Sequence, residues 1–250
     1  MNDYIAAADR SVLEKHGLLD FEASWNAKII AVDAPNLERG GWSEVGKLVL
    51  DGQAYYLKRQ RNHLTRSLAH LFGEPTFARE FRYIQFCQAR AIAVPSVAFH
   101  AQRKAGKRAI LLTRALDGWS NLAAWLEDWP TFAREERDAL LMACGVLARR
   151  LHDIGLMHGC FYPKHVFVRG RAPAVETCLI DLEKARPLWL GARDRVNDLE
   201  KFIRHAAVLS GGEVRLLLAA YAGERDAESP AVDVWLRRLR TRQRQKGGPQ

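Results

Sequence analysis

The sequence predicts an α+β chain in two lobes, a small β-rich N-terminal lobe and a larger, mainly helical C-terminal one. Three observations predict it. Strand-like runs crowd the first half around a single helical stretch, helical periodicity dominates the second half, and a short connector at residues 114–118 separates them. The expected division is an N-terminal extension over 1–26, the β-rich lobe over 27–113, and the helical lobe over 114–250, ending in a basic tail. No internal repeat or low-complexity linker interrupts this order.

The clearest local signal in the first half is WSEVGKLVLDGQAYYLKR, two strands joined at Asp51-Gly52, because an Asp-Gly pair tolerates the positive φ of a tight hairpin turn. In EPTFAREFRYIQFCQAR, Pro75 suits a first helical position. Phe77, Phe81 and Ile84 recur there at helical spacing, with Glu80 at the edge of the stripe. VPSVAFHAQ and RAILLTRAL, parted by the charged turn RKAGKR, read as a second strand pair. In the second half SNLAAWLEDW reads as a short helix. A longer helix from about Thr131 to Ile154 places Leu140, Leu141, Cys144, Leu147 and Leu151 on one face, with Gly155 to end it. HVFVRG and CLIDLEKA are strand-like around a turn, and helical sequence follows until RRLRTRQRQKGGPQ, which is expected to fray.

Composition narrows the partners. The chain has 250 residues, 48% of them hydrophobic, enough to bury a sizeable core. No run approaches the roughly 20 apolar residues of a membrane span, and the N-terminus lacks the basic start and apolar stretch of a signal peptide. These features predict a soluble, cytoplasmic protein. Cys87, Cys144, Cys160 and Cys178 form no CxxC pair, so reduced thiols are expected rather than a zinc site or disulfides. A net charge of +9 points to anionic partners: nucleotides, phosphorylated glycans, an anionic membrane surface or nucleic acid.

The order LARRLHDIGLMHGCFYPKHVFV, then CLIDLEKA, resembles a helix, catalytic loop and metal-binding strand of the protein kinase-like fold. The resemblance spans roughly Ala27 to Val208 and is strongest to the lipopolysaccharide core kinases of Gram-negative bacteria, the WaaP and InaA group. It implies a bilobal protein kinase-like fold that binds ATP with Mg2+ or Mn2+ between the lobes. Lys58, ending the strand AYYLK, would pair the phosphates, and Glu80 on the following helix would hold Lys58 by an ion pair. Gly40, Gly41 and Gly46 in the turn GGWSEVG would cover the phosphates with backbone N–H groups, although the spacing departs from GxGxxG and Gly-rich turns are commonplace. Asp181, after the apolar pair Leu179-Ile180, would grip the divalent cation. His158 would support the catalytic loop and Asp198 would brace it through its backbone.

Two positions depart from the kinase pattern. Cys160 stands where the general-base aspartate belongs, and His165 where a metal-binding asparagine belongs. Imidazole can ligate a divalent ion and suits manganese better than magnesium. Loss of a general base removes about 10² to 10⁴ in rate, while a loose transition state draws more on charge neutralisation than on the base. A slow kinase therefore remains open. So does Cys160 as a buried filler or, less simply, as a nucleophile.

The resulting expectation is an ATP-dependent kinase that phosphorylates a core sugar of lipopolysaccharide, or another anionic glycolipid, at the cytoplasmic face of the inner membrane. The basic run with Arg237, Arg238, Arg240, Arg242, Arg244 and Lys246 could rest on an anionic membrane surface or be a solvated helix. Two rival classes differ from this. A pseudokinase regulating envelope biogenesis is favoured by Cys160 and opposed by intact Lys58, Glu80 and Asp181. Nucleic-acid binding rests on charge alone and is not expected, since no aromatic-basic platform or recognition-helix pattern accompanies it.

Overall fold

The computed structural model describes residues 3–32, 34–37, 40–67 and 70–246. The chain divides into two compact units, Met1–Phe86 with Pro95–Asp117, and Cys87–Val94 with Gly118–Gln250.

The first unit opens with β1 (Tyr4–Ile5), α1 (Arg10–Lys15), α2 (Phe21–Trp25) and β2 (Ile30–Ala31). Then follow β3 (Trp42–Leu50), β4 (Gln53–Arg61), β5 (Leu64–Ser67), β6 (His70–Pro75), α3 (Thr76–Gln88), β7 (Val97–Arg103) and β8 (Arg108–Arg114). One antiparallel sheet takes the order β1-β7-β8-β4-β3-β2. The β3–β4 hairpin turns at Asp51 (φ 48°) and Gly52 (φ 82°), both left-handed as the short turn requires. The Asp51 carboxylate is also held by Lys15 Nζ at 2.9 Å.

Residues 1–26 were expected as an extension, but those described here are built into this unit. β1 adds to the sheet edge, pairing Tyr4 with His100. Leu13 and Phe21 join Tyr55, Leu57, Phe99, Ile110 and Leu112 in one core cluster. The buried Asp9 carboxylate accepts hydrogen bonds from Tyr55 Oη and Arg114 Nε, each at 2.8 Å. Burial, together with that carboxylate, pushes the Tyr55 phenol up to about 12.

Pro75 is the last residue of β6, opposite Leu64, and not the first of α3. The β5–β6 hairpin claims it, at a strand end where a missing N–H costs no ladder bond. Gln60 Oε1 accepts the Phe77 N–H at 2.6 Å in the first turn of α3. Phe77, Ile84 and Cys87 are buried, and the Phe81 ring stacks on His100 at 4.2 Å.

The second unit contains β9 (Ser120–Asn121), α4 (Leu122–Glu127), α5 (Arg134–Asp153) and β10 (Leu156–Met157). It continues with β11 (Val166–Arg171), β12 (Ala174–Leu179), β13 (Arg186–Pro187), α6 (Ala192–Arg204), α7 (Gly211–Ala222) and α8 (Pro230–Lys246). Residues 87–94 belong here because Ala93 O accepts the Leu179 N–H at 2.9 Å and Ile92 is buried. The predicted face of α5, Leu140 through Leu151, is buried as expected, and Gly155 (φ 78°) follows its end. At Gly145 a Cβ would lie 2.4 Å from Leu217 O, so only glycine lets α5 and α7 approach this closely. A Ser210–Glu213 capping box starts α7.

The basic run 237–246 is not frayed but helical within α8, which buries Val232 and Leu239 and sets Trp235 edge-on against Tyr221 at 5.0 Å. Residues 247–250 of that run lie outside the described residues. Among the described residues no helix is long and apolar enough to cross a membrane.

Replacing Asp9 with alanine leaves the Tyr55 hydroxyl and the Arg114 guanidinium without their carboxylate, a loss of about 2 kcal/mol. A denaturant titration of Asp9→Ala should show this drop. An unchanged midpoint would mean that the N-terminal segment is a loose appendage after all.

Candidate active site

The second unit positions a loop between β10 and β11 with the residues expected to do chemistry. Its geometry is set from below by Asp198 on α6, fully buried, whose carboxylate accepts the N–H groups of His158 (2.6 Å) and Gly159 (3.0 Å). Lys201, one turn further along α6, donates to Gly159 O. Gly159 (φ 79°) admits no side chain here, because a Cβ would meet Lys184 O at 2.5 Å.

His158 is wholly buried, and burial drives its pKa down against the opposing charge of Asp198. Its neutral ring serves two backbone groups. Nε2 lies 2.9 Å from Ile180 O, which can only accept, so Nε2 carries the proton; Nδ1 then accepts from Cys160 N at 3.3 Å. His158 thus ties the loop to the residue preceding Asp181, the supporting role expected of it.

Asp181 follows β12 in a left-handed conformation (φ 61°, ψ 58°) that aspartate tolerates better than most residues. Its Oδ2 lies 3.2 Å from His165 Nε2. His165 Nδ1 is 2.8 Å from Cys160 O, so Nδ1 carries the proton of a neutral ring and Nε2 presents a lone pair toward Asp181. Burial lowers the His165 pKa, and the Asp181 charge opposes it. Two electron-rich atoms in contact are a donor pair suited to a shared divalent cation. Among the described residues no group of three or more His, Cys, Asp or Glu side chains could hold a metal alone. Two protein donors would leave the other positions of such a cation to ligands from outside the protein.

Cys160 is nearly buried, and burial raises its thiol pKa while the Lys184 ammonium, within hydrogen-bonding reach, works against the rise. A thiol held protonated is a poor nucleophile. Lys184 is a residue that sequence reading passed over, although it stands in the same LIDLEKA stretch.

In the first unit Lys58 Nζ donates to Glu80 Oε1 at 2.7 Å. Glu80 is only 3% exposed, within the apolar face of α3 rather than at its edge. The structure thus gathers the predicted residues as two pairs, Lys58 with Glu80 in one unit and His165 with Asp181 in the other. The glycines differ from expectation. Gly46 lies inside β3, paired with Leu57 and Ala31, and a Cβ there would meet the Ile29 side chain at 2.4 Å. Gly41 similarly abuts Asn62 O, 2.6 Å from where a Cβ would lie. Close packing accounts for both, and Gly46 is not part of a turn.

Protein InaA of Escherichia coli (strain K12) is 32% identical over 171 residues, covering 67% of this chain and 79% of InaA. The solved structure described as WaaP in complex with acyl carrier protein has the same fold, with a TM-score of 0.72 over 96% of this chain and 99% of that one at 18% identity. Residues 22–221 match the model of the lipopolysaccharide kinase (Kdo/WaaP) family. With so much of its length matched, the chain belongs to the lipopolysaccharide kinase (Kdo/WaaP) family.

Proposed function

We propose that this member of a kinase family transfers phosphate from ATP to a sugar hydroxyl of the lipopolysaccharide core at the cytoplasmic face of the inner membrane. The observation that carries the reading is the His165–Asp181 donor pair, 3.2 Å apart, which joins the loop fixed by Asp198 to the residue after β12. A divalent cation bound with ATP would supply charge neutralisation on the phosphates. In this reading Asp181 and His165 hold that cation, and Lys58, oriented by Glu80, pairs the phosphates. Gly41 and Gly46 serve this reading through close packing, against Asn62 and Ile29 respectively. Lys184, beside the position vacated by the usual aspartate, offers a cation to an anionic acceptor or to the group in transfer. Cys160 fills space and leaves proton removal to water, which makes the enzyme slow rather than inactive.

Cys160 also favours a second reading, a nucleotide-binding regulator of envelope biogenesis that transfers nothing. Substitution of Cys160 separates the two. A carboxylate in Cys160→Asp would reach an acceptor hydroxyl and take its proton, raising transfer to purified lipopolysaccharide core by up to about 10². Cys160→Ala should remain close to wild type. Three proteins that bind ATP yet transfer nothing would sink the kinase reading in favour of the regulatory one.

Nucleotide binding is tested separately. Saturating ATP with Mg2+ or Mn2+ should raise the melting temperature, because a ligand at 100 times its Kd stabilises the native state by about 2.7 kcal/mol. Lys58→Ala and Asp181→Ala should each blunt that shift; identical curves with and without ligand would count against a nucleotide site.

Metal preference follows from the nitrogen ligand. ATP binding should be tighter with Mn2+ than with Mg2+, and His165→Asn should move the preference toward Mg2+. No movement would put His165 outside the metal shell.

A further inference from the structure

On the surface of the second unit, α6 and α8 enclose an open groove of about 530 Å³ lined by Arg193, Val196, Arg237, Arg238 and Arg242 among others, with no carboxylate in its lining. Many arginines elsewhere among the described residues are held by acids. Arg82, Arg103, Arg108 and Arg186 each make two-pronged contacts to a carboxylate: Glu74, Asp3, Glu22 and Asp194 respectively. Among the described residues, none of the four groove arginines pairs with an acid, and the buried Nε of Arg242 has no hydrogen-bond partner. Asp194, the nearest acid along α6, is already committed to Arg186. Arg240 and Arg244 extend the field along α8, both exposed.

Immediately before α6 the chain presents Trp189 and Leu190, 56% and 55% exposed. Leu190 O accepts the Arg193 N–H at 3.0 Å, so this apolar pair borders the groove. The Trp189 ring lies under the Arg186 guanidinium at 5.0 Å, which orients it without burying it. Guanidiniums without acids beside an exposed aromatic and aliphatic pair fit a phosphate-bearing surface with hydrocarbon behind it.

We propose that the α6–α8 groove and the Trp189-Leu190 tip are the surface by which this protein docks on an anionic phospholipid bilayer. The arginines meet lipid phosphates, and the tip enters the headgroup boundary. A partner protein would be matched by interspersed donors and acceptors that fix one register; the groove offers guanidiniums, Thr241 and Gln245 around an apolar floor, a pattern suited to a fluid layer of like charges. The inference rests on the lipid-borne acceptor proposed above, since it describes how the enzyme reaches that acceptor.

The test is co-sedimentation with vesicles of phosphatidylcholine alone and of phosphatidylcholine mixed with phosphatidylglycerol, without nucleotide or lipopolysaccharide. A failed phosphotransfer assay therefore leaves the proposal standing, and its own failure leaves phosphotransfer standing. Wild type should bind only the anionic vesicles and be released by high salt. With each basic residue worth about fivefold in partitioning, the combined R193A, R237A, R238A and R242A variant should lose 10² or more. The same four positions as lysine should stay within a few-fold of wild type, since diffuse attraction needs charge and not the bidentate fork. Trp189→Ser with Leu190→Ser should weaken binding at every salt concentration. Unchanged melting temperatures would show that the variants fold.

Equal binding to neutral vesicles, or a four-alanine variant that binds like wild type, would overturn the proposal. Loss of binding in the lysine variant, with inorganic phosphate displacing wild type from vesicles, would instead mark a discrete phosphate pocket. Polyglutamate competing as well as vesicles, with the Trp189 and Leu190 substitutions silent, would mark a site for an acidic protein. Either of those outcomes also contradicts it.

Discussion

One buried carboxylate organises the chemistry of the second unit. Asp198 accepts two consecutive backbone N–H groups, from His158 and Gly159, and so determines where the following residues point. From that anchor the loop runs through Cys160, whose carbonyl fixes the His165 ring, to the His165 backbone, whose carbonyl receives the Ile180 N–H at 3.0 Å. His158 closes the circuit from below through Ile180 O. Each bond uses a backbone group that would otherwise be buried unsatisfied, at a penalty of roughly 1–3 kcal/mol apiece. The loop is therefore rigid for reasons of hydrogen bonding, and the donor pair at its top is preorganised as a consequence.

That circuit explains why Cys160 can be tolerated. The residue contributes its carbonyl and N–H to the network, and neither depends on the side chain. An aspartate there would add a charge near Asp181, acceptable only with a cation or Lys184 to offset it. A thiol avoids that cost and packs in the space. In the proposed kinase reading the loss would fall on proton transfer, on which a loose phosphoryl-transfer transition state draws least.

The readable part of this protein consisted of short-range patterns. The Asp51-Gly52 hairpin and the apolar face of α5 could be recognised because spacing alone determines them, whereas Asp181 and His165 were singled out by resemblance to a known family. Asp198 was legible only through resemblance, since its target lies some forty residues earlier in the chain. What escaped depends on partners distant in sequence. The β5–β6 hairpin lacks an Asn-Gly or Asp-Gly turn, and the place of the first 26 residues is decided by Asp9 meeting Tyr55 and Arg114. Gly46 resembled a phosphate-covering glycine until Ile29 was found where its side chain would be. The basic end of α8 read as fraying because its charge is obvious, whereas the burial of Val232 and Leu239 that holds it is a tertiary fact.

The central claim is that Asp181 and His165 jointly hold the divalent cation that accompanies the nucleotide. The most direct measurement is hyperfine-resolved electron paramagnetic resonance of Mn2+ bound to the protein with ATP. The account predicts coupling to an imidazole nitrogen in wild type, absent from His165→Asn, and loss of bound Mn2+ in Asp181→Ala. A wild-type spectrum with oxygen ligands only, or a nitrogen coupling that survives in His165→Asn, would contradict it.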